Sequence, residues 1–187
     1  MDDNLIIEGV EHILMGIGED TAREGLLETP DRVVRMYNEL CWSSEKREEE
    51  VKKSLSKVFL TKYTGMIVSK GLRTYSLCEH HICPIILDVV IGYIPDKKVL
   101  GLSKLTRVVE ILAKRLMIQE DYTEEIVDVV MKVLKPQGVG VYVEGLHFCQ
   151  SMRGVKQRDA VMVTTSLKGC FLENDSVKAE FMERCRR

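Results

Sequence analysis

Neither sign of charge is in large excess in this sequence. Its 187 residues carry 27 basic and 29 acidic side chains, so no global field draws the chain to nucleic acid or to an anionic membrane, and any anionic ligand must be held by a local cluster. No apolar run reaches the roughly 20 residues of a membrane span. The start, Met1-Asp2-Asp3-Asn4, lacks the positive charge and apolar stretch of a secretory leader. The expectation is a soluble, cytoplasmic protein with neither nucleic-acid nor membrane partners. No Cys-x-x-Cys occurs, and at Cys83-Pro84 cysteine precedes proline, which removes the Pro-Cys-x-x-Cys signature of the zinc nucleobase deaminases. There is no internal repeat or low-complexity stretch, so nothing points to a repeat array.

What is present suits one domain with an appendage. A chain this long, 45% hydrophobic, can bury one substantial core but not two full-sized ones. Leu5, Ile6, Val10, Ile13, Leu14 and Ile17 recur at helical spacing up to Gly18, with His12 read as a boundary residue of that helix. Glu28-Thr29-Pro30-Asp31-Arg32 reads as a second helix start, with Thr29 as N-cap and Pro30 in the first helical position. The charged run from Ser43 to Lys57 reads as a solvated helix or linker. Strands are expected over Tyr63–Ser69, ending at Gly71, and over Pro84–Ile94, ending at Pro95-Asp96. Two helices follow, one capped by Ser103 and one running from Thr123 to Leu134. Two more strands, Val139–Leu146 and Val161–Leu167, precede a helical tail from Ser176. The fold class is α+β with an antiparallel sheet, divided into a helical extension over 1–57 and a main domain over 58–187.

The chemistry concentrates in two short clusters. In Cys78-Glu79-His80-His81, a cysteine and a histidine three positions apart can reach one metal from a tight turn. Far along the chain, His147-Phe148-Cys149 ends an expected strand, where residues two apart project to the same side. Cys78, His81 and Cys149 therefore make three soft ligands for Zn²⁺ with a fourth position left for water, whose pKa zinc lowers to about 7. His80 and His147 each neighbour a ligand, and imidazole titrates close enough to neutral pH to move protons beside such a water. Cys83 offers a rival, closed Cys₃His site. Against it stand its five-residue distance from Cys78, His81 in the near approach and Pro84 starting an outgoing strand. Cys83, like Cys41, Cys170 and Cys185, is read as a small buried hydrophobe.

These clusters sit among longer blocks, Glu28-Thr29-Pro30-Asp31-Arg32-Val33, Ser76-Leu77-Cys78-Glu79-His80-His81, Gly92-Tyr93-Ile94-Pro95 and Gly101-Leu102-Ser103-Lys104-Leu105-Thr106-Arg107. Gln119-Glu120, Pro136-Gln137-Gly138-Val139, His147-Phe148-Cys149, Met152-Arg153-Gly154-Val155 and Thr164-Thr165-Ser166 continue them. In order and spacing, from about Glu24 to Phe181, the sequence resembles the GTP cyclohydrolase I family.

The resemblance implies a tunnelling fold, an antiparallel four-stranded sheet backed by two helices, which joins its neighbours into a ring and stacks two pentamers into a homodecamer. It implies zinc on Cys78, His81 and Cys149, and GTP as substrate, converted with water to 7,8-dihydroneopterin triphosphate and formate as the first step of pterin and tetrahydrofolate biosynthesis. His147 would protonate the purine nitrogen beside the attacked carbon, and His80 with Ser103 would assist opening of the ribose. Gln119 and Glu120 would hold the guanine edge. Lys104, Arg107 and Arg153 would surround the ribose and triphosphate, with Arg32 and Arg35 reaching in from an adjacent subunit. Met117, Asp121-Tyr122, Gly71, Cys83 and Gln150-Ser151 depart from the family's usual residues, which bears on packing and affinity more than on the reaction. A zinc-stabilised binding module is the non-enzymatic alternative. It leaves His80 and His147 without a use, and formate release from GTP separates the two readings.

Overall fold

The computed structural model describes residues 1–186. The chain divides into two compact units, Met1–Ser44 and the remainder from Glu45, so most of the charged run goes with the second unit. The reason lies in α3 (Ser44–Ser54), which is not a free linker: Val51 and Ser54 on it, and Leu55 just beyond, are buried. Arg47 also reaches Glu125 at 3.8 Å.

In the first unit, α1 (Asp3–Gly16) starts at Asp2, whose carboxylate accepts the Leu5 N–H at 3.2 Å. It unwinds at Gly18, which takes φ +85°. Asn38 on α2 (Thr29–Leu40) donates to Asp3 at 3.2 Å and ties the two helices. Glu28, not Thr29, is the N-cap, which moves Pro30 one place further into the first turn, where a missing N–H still breaks no helical bond. α1 buries no residue, and Leu5, Ile13 and Ile17 stand exposed along it.

The second unit continues from α3 through β1 (Val58–Leu60), β2 (Ile67–Cys78), β3 (Pro84–Ile94), β4 (Lys98–Leu100), α4 (Leu102–Ala113) and β5 (Leu116–Met117). Then come α5 (Gln119–Leu134), β6 (Gly138–His147), α6 (Phe148–Ser151), β7 (Met162–Gly169), α7 (Cys170–Glu173) and α8 (Asp175–Arg186). β2, β3, β6 and β7 form the expected antiparallel sheet in that order. Two features were not expected: the short β5 adds a parallel edge beside the end of β2, and β1 pairs with β4 in a separate ribbon. β2 does not stop at Gly71. Its register shifts between Ser69 and Leu72, and Gly71 takes φ +69° in a bulge that lets the strand run on to Cys78. A glycine read as a turn signal, and departing from the family's usual residue, is therefore a strand feature.

One sheet face carries Ile85, Leu87, Val89 and Ile91 of β3 and Val139, Val141 and Val143 of β6, all fully buried. α5 packs there against β6 and β7, and α4 against β2. Tyr122, another departure, is fully buried and its hydroxyl donates to Val109 O at 3.0 Å, linking α5 to α4. Glu124 accepts from Lys168 at 2.6 Å and from Ser166 at 2.5 Å, pinning α5 over β7. α4 starts from Gly101 without a side-chain cap, so Ser103 is a first-turn residue and not the cap.

On the other face the sheet is thinned by glycine. Gly92 pairs with Gly140 across β3 and β6, and the space is taken by Phe171 of α7 and Phe181 of α8, edge to face at 5.3 Å. A Cβ on Gly140 would lie 2.7 Å from Phe171 and 2.8 Å from Phe181. Gly140→Ala should therefore cost about 1–3 kcal/mol by overpacking, and Phe181→Ala about 3–5 kcal/mol by cavity formation. Urea unfolding measures both, and a Gly140→Ala protein as stable as wild type would contradict this packing.

Candidate metal centre and its surroundings

The centre begins with a strained turn. Cys78 closes β2 and Pro84 opens β3, and between them the Cys78 N–H donates to Cys83 O and the Ile82 N–H donates to Cys78 O, both at 2.9 Å. That path puts Ile82 at φ +54°, a left-handed conformation that costs a β-branched residue about 1–3 kcal/mol and that clusters at functional sites. The Glu79 N–H donates to Met117 O at 3.3 Å, so β5 anchors the turn. His81 is thereby folded back until its Nδ1 lies 3.9 Å from Cys78 Sγ.

The third member arrives from β6. Ile85 pairs with His147, which brings the end of β6 beside the start of β3. Cys149 then stands in the helical turn of α6. Cys149 and His147 do not lie two apart on one side of a strand, as their spacing predicts. The strand ends at His147, and it is the helical turn that carries the thiol round to the cluster. The ligand atoms of Cys78, His81 and Cys149 lie within 4.8 Å of one another. Cys78 is buried, Cys149 part-buried and His81 exposed, so the group opens to solvent on the His81 side.

The donor set fits zinc. Four ligands at about 2.0–2.3 Å from a tetrahedral ion lie roughly 3.3–3.8 Å apart, close to the 3.9 Å between Cys78 Sγ and His81 Nδ1. Burial and then the neighbouring Cys78 push the Cys149 thiol above its ordinary pKa, with Cys83 adding to the effect. Adjacent thiols resist ionising together until a cation sits between them. Cys83 is part-buried and outside the three-residue group, as expected of a packing residue.

Beside the centre lies a saturated polar core. Gln119 opens α5 and is only 1% exposed. Its amide nitrogen donates toward Val143 O at 3.2 Å, Met162 O at 3.0 Å and Thr164 Oγ1 at 3.1 Å, and its Oε1 meets His147 Nε2 at 2.9 Å. Thr123 Oγ1 bonds Gln119 O at 2.7 Å and Thr164 Oγ1 at 2.6 Å. Burial pushes the His147 imidazole below its ordinary pKa, and the nearby Glu120 carboxylate opposes that. Thr123, Thr164 and Gly145 drew no functional reading from the sequence, since nothing in their spacing links them to Gln119 or His147.

The remaining expected residues lie on the surface. His80 is exposed on the turn, its ring edge-on to His81 at 6.2 Å and its Nε2 4.0 Å from Glu79. Glu120 is exposed in the first turn of α5, and Ser103, Lys104 and Arg107 follow one another along the start of α4. Arg153 is exposed beyond α6. Among the described residues, none of Glu120, Ser103, Lys104, Arg107 and Arg153 is hydrogen-bonded or ion-paired to the Cys78–His81–Cys149 group. In the first unit Arg32 pairs with Glu28 at 2.7 Å on the surface of α2, and Arg35 is exposed on the same helix.

The GTP cyclohydrolase I family description matches residues 6–186. A protein of Clostridium perfringens (strain 13 / Type A) named GTP cyclohydrolase 1 is 46% identical over 178 residues, 95% of each chain. Those of the same name from Hydrogenobaculum sp. (strain Y04AAS1) and Aquifex aeolicus are 44% and 45% identical, over the full length of both chains in the first case and over 98% of this chain and 96% of the other in the second. The archaeosine synthase QueF-Like, in its apo form, overlays with a TM-score of 0.48 and 18% identity, covering 58% of this chain and 97% of that one, a likeness too slight to carry an argument. On its match from residue 6 to residue 186 and on these full-length relatives, the chain belongs to the GTP cyclohydrolase I family.

Proposed function

We propose that this protein is a zinc-dependent hydrolase that converts GTP and water to 7,8-dihydroneopterin triphosphate and formate. The observation that carries this reading is the convergence of Cys78, His81 and Cys149 beside His147 in a chain of this family. When held by those three residues, zinc supplies a Lewis acid and lowers the pKa of water to about 7. His147, half-buried at the edge of the cluster, gives a proton to the purine nitrogen as the imidazole ring of guanine opens. His80, exposed on the adjacent turn, and Ser103 move protons during opening of the ribose.

Glu120 accepts hydrogen bonds from the guanine ring N–H and exocyclic amine. Lys104, Arg107, Arg153, Arg32 and Arg35 supply cations for three phosphates. The Arg32–Glu28 pair is exposed, and such pairs are worth about 0–1 kcal/mol, so phosphate can displace the carboxylate at little cost.

Assembly belongs to the same reading: a tunnelling-fold ring, two pentamers stacked as a homodecamer, with Arg32 and Arg35 serving a neighbour's site. Among the described residues, β7 has a strand on one side only, and β2 is covered on its outer side only where β5 pairs with Leu77 and Cys78. Two open edges on one sheet are what a head-to-tail ring would close, and the bare apolar residues of α1 likewise suit burial against another chain. A cytoplasmic location accompanies it. Among the described residues no helix is long and apolar enough to cross a membrane.

Incubation of zinc-loaded protein with GTP should release formate and, after oxidation, a fluorescent pterin; absence of formate would sink the reading. About one zinc per chain is expected, and Cys78→Ser, His81→Ala and Cys149→Ser should each lose it, whereas Cys83→Ser keeps it. Metal analysis decides, and a Cys149→Ser protein that retains zinc while Cys83→Ser loses it would reverse the ligand assignment. Mixing Arg32→Ala with His147→Ala protein, each inactive alone, should restore part of the activity through hybrid sites. No recovery after subunit exchange would place each site within one chain.

A further inference from the structure

We infer that Gln119 is a positioning residue, which fixes His147 in the tautomer carrying hydrogen on Nε2 and leaves Nδ1 as the nitrogen that exchanges protons with substrate. The inference rests on the reading of His147 as the proton-transfer group, and it moves Gln119 from the guanine edge, where the family resemblance put it, to the support of that group.

The hydrogens in this network are determined by elimination. Val143 O and Met162 O are carbonyls and can only accept, so the side of the Gln119 amide that faces them must be the NH₂ group. The carbonyl oxygen Oε1 must then face His147, and since an amide oxygen also only accepts, the hydrogen in the 2.9 Å contact belongs to His147 Nε2. The threonines agree. Gln119 O is an acceptor, so the Thr123 hydroxyl donates to it at 2.7 Å. Thr164 must therefore supply the hydrogen of the 2.6 Å Thr123–Thr164 contact, which leaves a Thr164 lone pair to accept from Gln119. Both hydrogens of the Gln119 amide are shared among Val143 O, Met162 O and Thr164 Oγ1, so the amide has no donor left for a guanine ring, and its Oε1 is turned to His147.

Gly145 provides independent support. It lies on β6 two residues before His147, and a Cβ there would stand 2.0 Å from Gln119 Oε1 and 3.1 Å from His147 Nε2. Backbone strain does not require glycine at this place, because its φ is not positive. The absence of a side chain is what lets the amide reach the imidazole.

The protein has four histidines, His12, His80, His81 and His147, so histidine-selective ¹⁵N labelling yields four rings, and a His147→Gln sample identifies the one of interest. Zinc-loaded protein without GTP is measured by solid-state NMR about two pH units above the ordinary imidazole pKa, where a neutral ring shows its tautomer. We expect protonated Nε2 and bare Nδ1 in wild type, and a mixture of tautomers in both Gln119→Leu and Gly145→Ala. In steady-state kinetics both variants should lose about 10- to 100-fold in kcat, the range seen when the residue orienting a functional histidine is removed, with KM for GTP moving less than about threefold. A wild-type ring protonated on Nδ1 would overturn the inference without recourse to any variant. So would wild-type tautomers in both variants, or a rise in KM at unchanged kcat in Gln119→Leu, which would return Gln119 to the guanine edge. Failure of the wild type to turn over GTP would instead overturn the proposed function, and the spectra would still decide the tautomer.

Discussion

Ile85 of β3 stands opposite His147 of β6, and Leu77 stands opposite Pro84 across the β2–β3 hairpin, so three strand ends meet at one edge of the sheet. The Cys78–His81–Cys149 group rests on that register. A slip of one residue between β3 and β6 would turn His147 to the other face and draw Cys149 away from Cys78 and His81. Burial on both faces prevents it. On the helix side, Val89 and Ile91 oppose Val143 and Val141, all fully buried. On the other side Gly92 opposes Gly140 beneath Phe171 and Phe181, and a slip would drive side chains into the two rings. Residues remote from the chemistry thus set the distance between its ligands.

Polar groups are distributed with a clear division. Those that hold geometry are buried and saturated: Gln119, Thr123 and Thr164 spend their hydrogen bonds on one another, on strand carbonyls and on His147. Those proposed to meet a substrate, Glu120, Ser103, Arg107 and Arg153, are exposed. The contrast has an energetic basis, since a buried amide left unpaired costs about 1–3 kcal/mol while an exposed one is satisfied by water. A residue that must be rigid in the empty protein is buried and paired; one that must exchange water for ligand is not.

Much of this was legible in the sequence where the signal was local. Pro84–Ile94 forms a strand with the bounds expected, and the two helices and four long strands occur in the expected order. Cys78 and His81 meet because a three-residue spacing in a tight turn allows little else. Legibility failed where local chemistry had two solutions. Gly71 signals a turn or a bulge with equal force. Thr29 and Ser103 are good cap residues, yet the N-caps lie one and two positions earlier, at Glu28 and Gly101. Cys149 reaches the cluster through a helical turn that four residues of sequence do not announce. It failed most where the partners are distant. Gln119 beside Glu120, taken without the family resemblance, reads as solvated surface, and only the fold brings Val143, Met162 and Thr164 around its amide.

In the proposed function two thiolates and one imidazole hold a metal and leave its fourth position open. X-ray absorption at the zinc edge of the purified protein tests this without substitution or substrate. The account predicts two sulfur ligands at about 2.3 Å and two nitrogen or oxygen ligands at about 2.0–2.1 Å, one of the latter being replaced when a small anion that binds zinc is added. Three sulfur ligands, or a shell unchanged by such an anion, would mean a closed structural site and would contradict it.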